Sequence, residues 1–337
     1  MQNTQLTHNE VAMETAGMYD RMRGVVPPFE WAVHAPLIAE INRLKRERNA
    51  VILAHNYQTP EIFHGVADIC GDSLALAREA AEAQAETIVV CGVHFMAETA
   101  KVLNPDRRVL IPDLEAGCSL ADSITAEDVR QLKADYPGVP IVTYVNTTAA
   151  VKAEVDICCT SANAIEIVES LGSDRVIFLP DRFLGKWVAE NTDVEIILWN
   201  GCCEVHEQFR AEDVRAYRRQ FPGVTVIAHP ECDLPVLREA DMVGSTSGMI
   251  DFVRDNRPER VVMITECSMS DNVSGEFPDV EFIRSCTICP HMKRITLEKI
   301  RDSLLSLRHE VEVAPDIAQR ARLSVERMLA VGRGKGA

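Results

Sequence analysis

Basic residues are in short supply in this sequence, which has 35 Lys and Arg against 51 Asp and Glu and a formal net charge of −16. An acidic chain repels polyanions, which argues against nucleic acids and anionic membranes as partners. No apolar run reaches the ~18 residues that a membrane-spanning helix needs. Residues 1–10 also lack the basic start and the apolar core of a secretory signal. We therefore expect a soluble, cytoplasmic protein.

Cysteine is not scarce, since the chain contains 11 of them. In a cytoplasmic protein this number indicates free thiols and metal ligands more than disulfides. The length of 337 residues and the hydrophobic content of 47% are typical of two or three domains with enough apolar surface for their cores.

A long internal repeat organises the chain. Residues 211–249 match a stretch that begins 85 positions upstream, at residue 126. Both copies start with Ala-Glu-Asp-Val-Arg, pass through Pro-Gly-Val into an apolar run, and end in a short polar group followed by a hydroxyl residue. A looser third copy begins at residue 51. The polar groups and their hydroxyl residues are His55-Asn-Tyr57 with Ser73, Tyr144-Val-Asn146 with Ser161, and His229-Pro-Glu231 with Thr246.

Three cysteines follow the same period. Cys118, Cys203 and Cys289 are spaced 85 and 86 residues apart, each just before a new helical pattern. A repeat of this length indicates three small domains, and equivalent strand ends in a threefold arrangement can converge on one point. Three thiolates, one from each domain, suggest an iron-sulfur cluster with one iron left free for substrate.

The spacing alone leaves other interpretations open. Cys202 is adjacent to Cys203, and the repeat favours neither strongly as a ligand. Cys286 and Cys289 could instead form half of a zinc site or a redox pair, although no second Cys-x-x-Cys completes a four-ligand zinc site. Five further cysteines are interpreted as small buried hydrophobic residues: Cys70, Cys91, Cys158, Cys232 and Cys267.

Hydrophobic patterning alternates strands with helices, which predicts an α/β fold with right-handed crossovers and parallel sheets. A helix is predicted over residues 37–48, and a capping box at Thr125 and Asp128 begins another. Four strands are predicted in each unit, over residues 51–54, 68–70, 87–91 and 109–111, then 141–144, 155–157, 175–179 and 194–198, then 225–228, 240–243, 260–264 and 281–283. The predicted units are residues 34–120, 121–206 and 207–291, flanked by an irregular extension over 1–33, helices over 292–331 that cover a domain face, and a flexible tail over 332–337.

The polar groups at the strand ends are candidate site residues, because open α/β sheets bind ligands at the carboxyl ends of their strands. A single histidine is more often structural, but matched positions in three units favour a ring that binds a multiply charged anion, helped by helix N-termini. Glu231 is the only carboxylate at its position in the repeat, where the other units have Tyr57 and Asn146. Glu231 is therefore the candidate general base.

The loops between these elements resemble those of the quinolinate synthase family over residues 35–300. The motifs that carry the resemblance are His55-Asn-Tyr57, Gly71-Asp-Ser73, Phe95-Met-Ala-Glu-Thr-Ala-Lys101, Pro112-Asp-Leu-Glu-Ala-Gly-Cys118-Ser-Leu, Tyr144-Val-Asn146, Cys159-Thr-Ser161, Trp199-x-Gly201-x-Cys203 with His206, His229-Pro-Glu231-Cys232, Gly244-Ser-Thr246-Ser-Gly-Met249 and Cys289-Pro-x-Met292-Lys.

The resemblance implies three αβα three-layer domains around a pseudo-threefold axis, each with a four-stranded, mainly parallel sheet, and an active site where they converge. It implies a [4Fe-4S] cluster bound by Cys118, Cys203 and Cys289. The implied reaction condenses iminosuccinate with dihydroxyacetone phosphate to quinolinate, water and phosphate, with transient contact to L-aspartate oxidase as a candidate partnership. The implied catalytic residues are Glu231, Tyr57, Tyr144 and His229. The implied substrate contacts are His55, Ser73, Tyr144, Val145, Asn146, Ser161, His229, Pro230, Glu231 and Thr246.

Two other classes use related chemistry. A diphthamide-type enzyme, which cleaves S-adenosylmethionine at a cluster, also takes one cysteine from each repeat, but predicts a sulfonium pocket in place of a ring of anion-binding hydroxyls. An electron-transfer or structural iron-sulfur protein normally uses four cysteines for each cluster and leaves no open iron.

Overall fold

Three four-stranded sheets form the framework of the protein, whose computed structural model describes residues 7–331. Every strand pair within the sheets is parallel. In each sheet the strands lie in the order second, first, third, fourth along the chain. The predicted α/β class with three parallel sheets is therefore confirmed.

The N-terminal segment is helical where the structure describes it, so the predicted irregular extension is wrong for residues 7–33. The helices there are α1 (His8–Glu14), α2 (Met18–Met22) and α3 (Pro28–Glu47). Helix α3 begins nine residues before the predicted helix, with a proline at its first position, where the missing N–H costs nothing. The hydrophobic pattern did not reveal the first turns of this helix, because the apolar side chains of Phe29 and Val33 are exposed and Pro36 lies within the helix.

The first repeat runs from the end of α3 to Cys118. Its elements are β1 (Ala50–His55), α4 (Pro60–Phe63), β2 (Ile69–Gly71), α5 (Ser73–Glu82), β3 (Thr87–Cys91), α6 (His94–Leu103) and β4 (Arg108–Leu110).

The second repeat has the same alternation of four strands and three helices, preceded by two further helices. Its elements are α7 (Ser119–Asp122), α8 (Ala126–Asp135), β5 (Ile141–Tyr144), α9 (Ala149–Lys152), β6 (Ile157–Cys159), α10 (Ala164–Ser170), β7 (Arg175–Leu179), α11 (Arg182–Glu190) and β8 (Glu195–Leu198). The predicted capping box between Thr125 and Asp128 begins α8.

The third repeat follows a 3₁₀ turn at His206–Gln208. Its elements are α12 (Ala211–Gln220), β9 (Thr225–Ala228), α13 (Leu234–Leu237), β10 (Met242–Val243), α14 (Thr246–Asn256), β11 (Arg260–Ile264), α15 (Ser268–Ser274) and β12 (Glu281–Ile283).

One hydrogen-bonding unit recurs in all three repeats. An aspartate just before the second strand accepts a hydrogen bond from a first-strand N–H, and its own N–H donates to the carbonyl of the same residue. The pairs and their two distances are Asp68 with Ile52 (2.8 and 3.0 Å), Asp156 with Ile141 (2.8 and 3.1 Å) and Asp241 with Val226 (2.8 and 2.8 Å). The repeats are thus equivalent in backbone hydrogen bonding as well as in strand order.

The sheets are buried on both faces. In β9, Val226 and Ala228 belong to one apolar cluster while the intervening Ile227 belongs to another. In β7, Val176 and Ile177 likewise belong to different clusters. Since alternate side chains of a strand point to opposite faces, apolar residues cover each of these sheets on both sides.

The C-terminal part forms a 3₁₀ turn at Met292–Arg294 and the helices α16 (Leu297–Ser306) and α17 (Pro315–Ala330). Helix α16 packs on α3, and α17 packs on α6, α9 and β6. Helix α17 therefore bridges the first and second repeats, as a covering helix would. The predicted flexible tail over 332–337 lies outside the described residues. No helix within residues 7–331 is both long and apolar enough to cross a membrane.

Candidate active site

A cavity lies where the three repeats meet. Its lining includes predicted site residues from every repeat: His55, Tyr57, Ser73 and Cys118 from the first, Tyr144, Asn146, Ser161 and Cys203 from the second, and His229, Glu231, Thr246 and Cys289 from the third. No Lys or Arg of the described chain is among the lining residues. The predicted convergence of strand ends on one site is confirmed by this cavity.

Two predicted residues, Val145 and Pro230, do not line the cavity, although both are buried within the polar groups that do. The two cysteines that were alternative ligands, Cys202 and Cys286, also lie outside the cavity lining. Cys203 and Cys289 line the cavity, whereas Cys202 and the exposed Cys286 do not. All cysteines in residues 7–331 are free; of the five interpreted as buried hydrophobic residues, Cys91, Cys158 and Cys232 are buried and Cys70 and Cys267 are half-buried.

His55 and His229 occupy equivalent positions, and their rings are fixed in the same way. The backbone N–H two residues further along donates to Nδ1 in both cases, from Tyr57 at 3.2 Å and from Glu231 at 3.4 Å. An Nδ1 that accepts requires the proton to be on Nε2 in the neutral ring. The Nε2 of His229 lies 3.2 Å from the Ser161 hydroxyl. Both imidazoles thus offer Nε2–H as a donor, on the side of the ring away from the backbone N–H that Nδ1 accepts.

These two histidines are neutral at physiological pH. Burial lowers the pKa of His55 to about 4 and the pKa of His229 to about 3. They can therefore meet an anion only as hydrogen-bond donors and not as cations.

The hydroxyl residues lie at the starts of helices. Ser73 is the first residue of α5 and Thr246 the first of α14, and Ser161 precedes α10. Thr246 Oγ1 accepts a hydrogen bond of 2.8 Å from the Asn56 side chain, so its own proton is free to donate. Asn146 Oδ1 is buried without a partner, as expected of a group that binds a ligand. Hydroxyl donors beside helix N-termini suit carboxylate and phosphate groups.

A continuous chain of hydrogen bonds crosses the site between repeats. Tyr57 Oη lies 2.6 Å from Thr265 Oγ1, and Thr265 Oγ1 lies 2.9 Å from His206 Nε2. His206 Nδ1 lies 2.7 Å from Glu231 Oε2, and Tyr144 donates to Glu231 Oε1 at 2.5 Å. Because a carboxylate only accepts, Nδ1 of His206 is the donor; with the ring neutral, its Nε2 accepts from Thr265, and Thr265 accepts from Tyr57. Every proton in the chain is directed toward Glu231.

The charges in this chain follow from burial. Burial acts to raise the pKa of Glu231, but interactions with His206 and His229 and hydrogen bonds from His206 and Tyr144 outweigh it, so the pKa is lower than that of an ordinary Glu. Burial and the nearby Glu231 raise the pKa of Tyr57 and Tyr144 well above the usual value. Glu231 is therefore an anion flanked by neutral phenols.

The three cysteines have the same backbone setting. Each carbonyl accepts from the N–H four residues further on, at 3.0 Å for Cys118, 2.9 Å for Cys203 and 3.2 Å for Cys289. Each sulfur also receives backbone N–H groups from the turn that follows it. Burial raises the pKa of Cys118 to about 12 and raises the pKa of the other two thiols as well. Cys203 also groups with His206 and Glu231, whose ligand atoms lie within 4.8 Å of one another and could hold a metal ion.

Comparison with known proteins matches residues 39–330 to the family model of the quinolinate synthetase A protein. The chain belongs to the quinolinate synthetase A family. A relative from Mesorhizobium japonicum, quinolinate synthase 1, is 63% identical over 321 residues, which cover 95% of this chain and 99% of the relative. Quinolinate synthases from Sinorhizobium fredii and Xylella fastidiosa are 60% and 63% identical, over 95% and 87% of this chain and 89% and 87% of theirs. The resemblance found in the loops is thus confirmed.

Several polar residues in the site of this quinolinate synthetase A family member were not predicted. His206 was part of a matched motif without a role, and Thr265 was not singled out. Their places in the sequence could have revealed both residues, since His206 follows Cys203 by three residues and Thr265 directly follows the predicted strand over 260–264. Asp72, which lines the cavity and caps α5, is adjacent to Ser73.

Proposed function

We propose that this chain is a quinolinate synthase, a transferase that condenses iminosuccinate with dihydroxyacetone phosphate to give quinolinate, water and phosphate. The observation that carries the proposal is the cavity into which each repeat contributes one cysteine and its own set of hydrogen-bonding groups. The names of the relatives agree with this activity.

We assign Cys118, Cys203 and Cys289 as the ligands of a [4Fe-4S] cluster. The donor set fits, because three soft thiolates from three repeats face one cavity, and N–H groups directed at sulfur stabilise thiolates. Without the cluster, burial keeps these thiols protonated, and cluster binding would displace their protons. When bound, the cluster supplies a Lewis-acidic iron without a protein ligand.

The neutral hydrogen-bond donors that line the cavity bind the substrate in this proposal. The Nε2–H groups of His55 and His229 and the hydroxyls of Ser73, Ser161 and Thr246 suit the two carboxylates of iminosuccinate. These donors hold a dianion in a fixed geometry without a histidine positive charge. The amide of Asn146 offers both a donor and an acceptor, so it suits the imine nitrogen or the triose.

Glu231 is assigned as the general base. Protons must leave carbon atoms before water is lost and the ring becomes aromatic, and a buried carboxylate can take them. A carboxylate with a lowered pKa is a weak base at rest. Its strength increases when substrate replaces one of its donors, and Tyr144 is the donor best placed to turn from Glu231 to the substrate.

The chain from Tyr57 to Glu231 keeps this base an oriented anion. His206 donates to Glu231 and accepts from Thr265, which accepts from Tyr57, so the donors of the chain stabilise the carboxylate before it takes a proton from carbon. Tyr57 donates its proton into the chain, and its oxygen keeps lone pairs that can accept a hydrogen bond from the triose.

Burial of the site protects the substrates. Iminosuccinate hydrolyses in water, and the buried positions of His55, Tyr144, His229 and Glu231 favour reaction in a dry cavity. The same instability gives a reason for transient contact with L-aspartate oxidase, which we include in the proposal as the source of the imine.

The test is product formation by anaerobically reconstituted protein. Iminosuccinate generated in place from oxaloacetate and ammonia is mixed with dihydroxyacetone phosphate, and quinolinate is measured by liquid chromatography and mass spectrometry. We expect quinolinate only from protein that contains ~four irons. Iron-free protein is the control. Loaded protein that makes no quinolinate, but cleaves S-adenosylmethionine, would replace the proposal with the diphthamide-type reaction.

A further inference from the structure

Lys152 at the end of α9 is a lysine with no exposed surface. Its Nζ donates to the backbone carbonyls of Val145, at 2.7 Å, and Thr147. It also lies 5.3 Å from the centre of the Phe95 ring. The two carbonyls are neutral, so the groups that bind the ammonium do not cancel its charge. Burying a charge without an opposite charge beside it is costly, so such a lysine is a candidate for a functional role.

The hydrogen bonds of Lys152 place it directly behind the substrate cavity. Val145 and Thr147 flank Asn146, which lines the cavity together with Tyr144 from the same turn and with Phe95. The Thr147 N–H donates to the Val145 carbonyl at 2.8 Å, so the turn is tight and Lys152 holds it from both sides. A change at position 152 therefore acts on the cavity wall without touching the ligand.

The cavity needs a positive charge that its own lining does not provide. Of the described residues that line it, none is Lys or Arg, while Asp72, Glu204 and Glu231 contribute carboxylates. A dicarboxylate substrate adds two more negative charges. Charges act over longer distances in the poorly screened interior than at the surface. A buried ammonium behind the wall is therefore felt inside the cavity.

We propose that Lys152 is a positioning residue that fixes the turn over residues 144–147 and supplies the positive charge that allows this cavity to bind a dicarboxylate. The inference rests on the proposed function, because that function provides the doubly charged ligand. Glu98, whose carboxylate accepts from the Ala149 N–H at 2.9 Å, lies near enough to favour the charged lysine against the lowering of its pKa by burial.

Ligand charge separates this electrostatic role from a purely structural one. Pyridine-2,3-dicarboxylate and pyridine-2-carboxylate share a ring but carry two and one negative charges. Removing the charge at position 152 is expected to weaken binding of the dicarboxylate about tenfold and of the monocarboxylate about threefold, since each ligand charge contributes separately. A distorted turn would weaken both to the same degree.

The experiment is isothermal titration of anaerobic, cluster-loaded protein with each ligand. Lys152→Met removes charge and donors, Lys152→Gln keeps amide donors without the charge, and Lys152→Arg keeps the charge. If the Met variant does not fold, the affinities of the Gln variant for the two ligands are compared with those of the wild type instead. Lys152→Arg is expected to bind the dicarboxylate within about threefold of wild type.

Lys45 provides a control outside the cavity lining: its Nζ also donates to a backbone carbonyl, that of Val66 at 2.7 Å, but its charge is paired with the Asp68 carboxylate at 2.7 Å. Lys45→Met is expected to leave both affinities unchanged. Equal weakening of the two ligands in Lys152→Gln, or a tenfold loss of dicarboxylate affinity in folded Lys152→Arg, would overturn the role of the charge. Wild-type protein that binds neither ligand would instead count against the proposed function.

Discussion

At the scale of single residues, Glu231 has the clearest role, because two residues of the second repeat, Tyr144 and His206, direct hydrogen bonds to its carboxylate. Glu231→Gln keeps the size of the side chain and most of these bonds but removes the base. We expect unchanged iron content, near-normal dicarboxylate binding, and a loss of turnover of about 100-fold or more. Rapid-quench mass spectrometry should detect a condensed species that is not yet aromatic. The same substitution at the exposed Glu259 is the control, and wild-type turnover by Glu231→Gln would assign the base to another group.

The assignment of cluster ligands is a second prediction at this scale. Replacing Cys118, Cys203 or Cys289 by Ser is expected to abolish the ~four-iron content of reconstituted protein, because all three line the cavity. Cys202→Ser and Cys286→Ser should retain most of the iron, since neither residue lines the cavity. Iron analysis and visible absorption measure the outcome. A full iron content in Cys203→Ser would mean that its neighbour is the ligand.

The residues that sequence could predict are those that repeat along the chain. His55, Tyr144 and His229 recur at matched positions after equivalent strands, so their convergence could be expected. His206 and Lys152 do not recur, and their partners become neighbours only through folding. Glu231 and Thr265, which flank the ring of His206, lie 25 and 59 residues from it in sequence. Pattern alone has no access to such contacts.

At the scale of elements, central strands were predicted better than edge strands. The observed bounds of the central strands β3, β5, β7, β9 and β11 equal the predicted ones, and β1 is one residue longer at each end, because buried apolar runs mark strands that pair on both sides. Of the edge strands only β12 matches its prediction, whereas β2, β4, β6, β8 and β10 are shifted or shortened. They pair on one side only, so the apolar pattern extends beyond the paired residues. The boundaries between the three units stay predictions.

A buried ion pair connects the segment that follows β11, the 3₁₀ turn at Met292–Arg294 and the turn that contains Tyr57. Lys293 Nζ lies 3.0 Å from the fully buried Glu266, and it donates to the Tyr57 carbonyl and the Ser268 hydroxyl, both at 2.6 Å. Lys293→Met leaves the Glu266 charge buried without its partner, so we expect a loss of about 3 kcal/mol in the free energy of unfolding. The double variant with Glu266→Gln should lose about 2 kcal/mol less than the sum of the single variants.

Anaerobic denaturant unfolding of the four proteins measures this coupling. Asn272 serves as a comparison, because its side chain holds the Asn56 and Gln58 carbonyls of the same turn at 2.9 and 2.7 Å without a charge. Asn272→Ala should therefore show no coupling to Glu266→Gln. Additive losses in the Lys293 and Glu266 variants would show that the pair does not stabilise the fold as a unit.

At the scale of the whole molecule, the hydrophobic cores join what the repeat separates. One apolar cluster extends from the first sheet into the second and includes Val325 and Met328 of α17, whereas the third repeat has two clusters of its own. In residues 7–331 a continuous core thus joins the first two repeats, whereas Tyr57 and Trp187 pack on the edges of the third repeat's clusters and Tyr57 also forms a polar contact with Thr265. Motion that admits substrate is expected between the third repeat and the other two, because no shared buried core crosses that boundary.

Acid stability is the remaining property of the whole molecule that the structure predicts. Burial is the main cause that lowers the pKa of His55 and His64 to about 4 and that of His229 to about 3, from an ordinary value of 6.5. As pH falls from 6.5 toward 4, the unfolded chain binds protons at these positions and the folded chain does not. The free energy of unfolding therefore decreases through this window, by up to about 1.4 kcal/mol per pH unit for each histidine.

His64 allows a test outside the cavity, because its Nε2 donates to the Asn272 carbonyl at 3.1 Å and it does not line the site. His64→Gln keeps a donor for this carbonyl but cannot titrate. Anaerobic unfolding at pH 8, 6, 5 and 4.5 should give a variant whose free energy of unfolding decreases less steeply below pH 6.5, by about 1.4 kcal/mol per pH unit. Above that window the two pH profiles should be parallel, since neither the folded nor the unfolded chain binds a proton there. Profiles that stay parallel below pH 6 would mean that His64 is protonated in the folded protein and that burial does not keep it neutral.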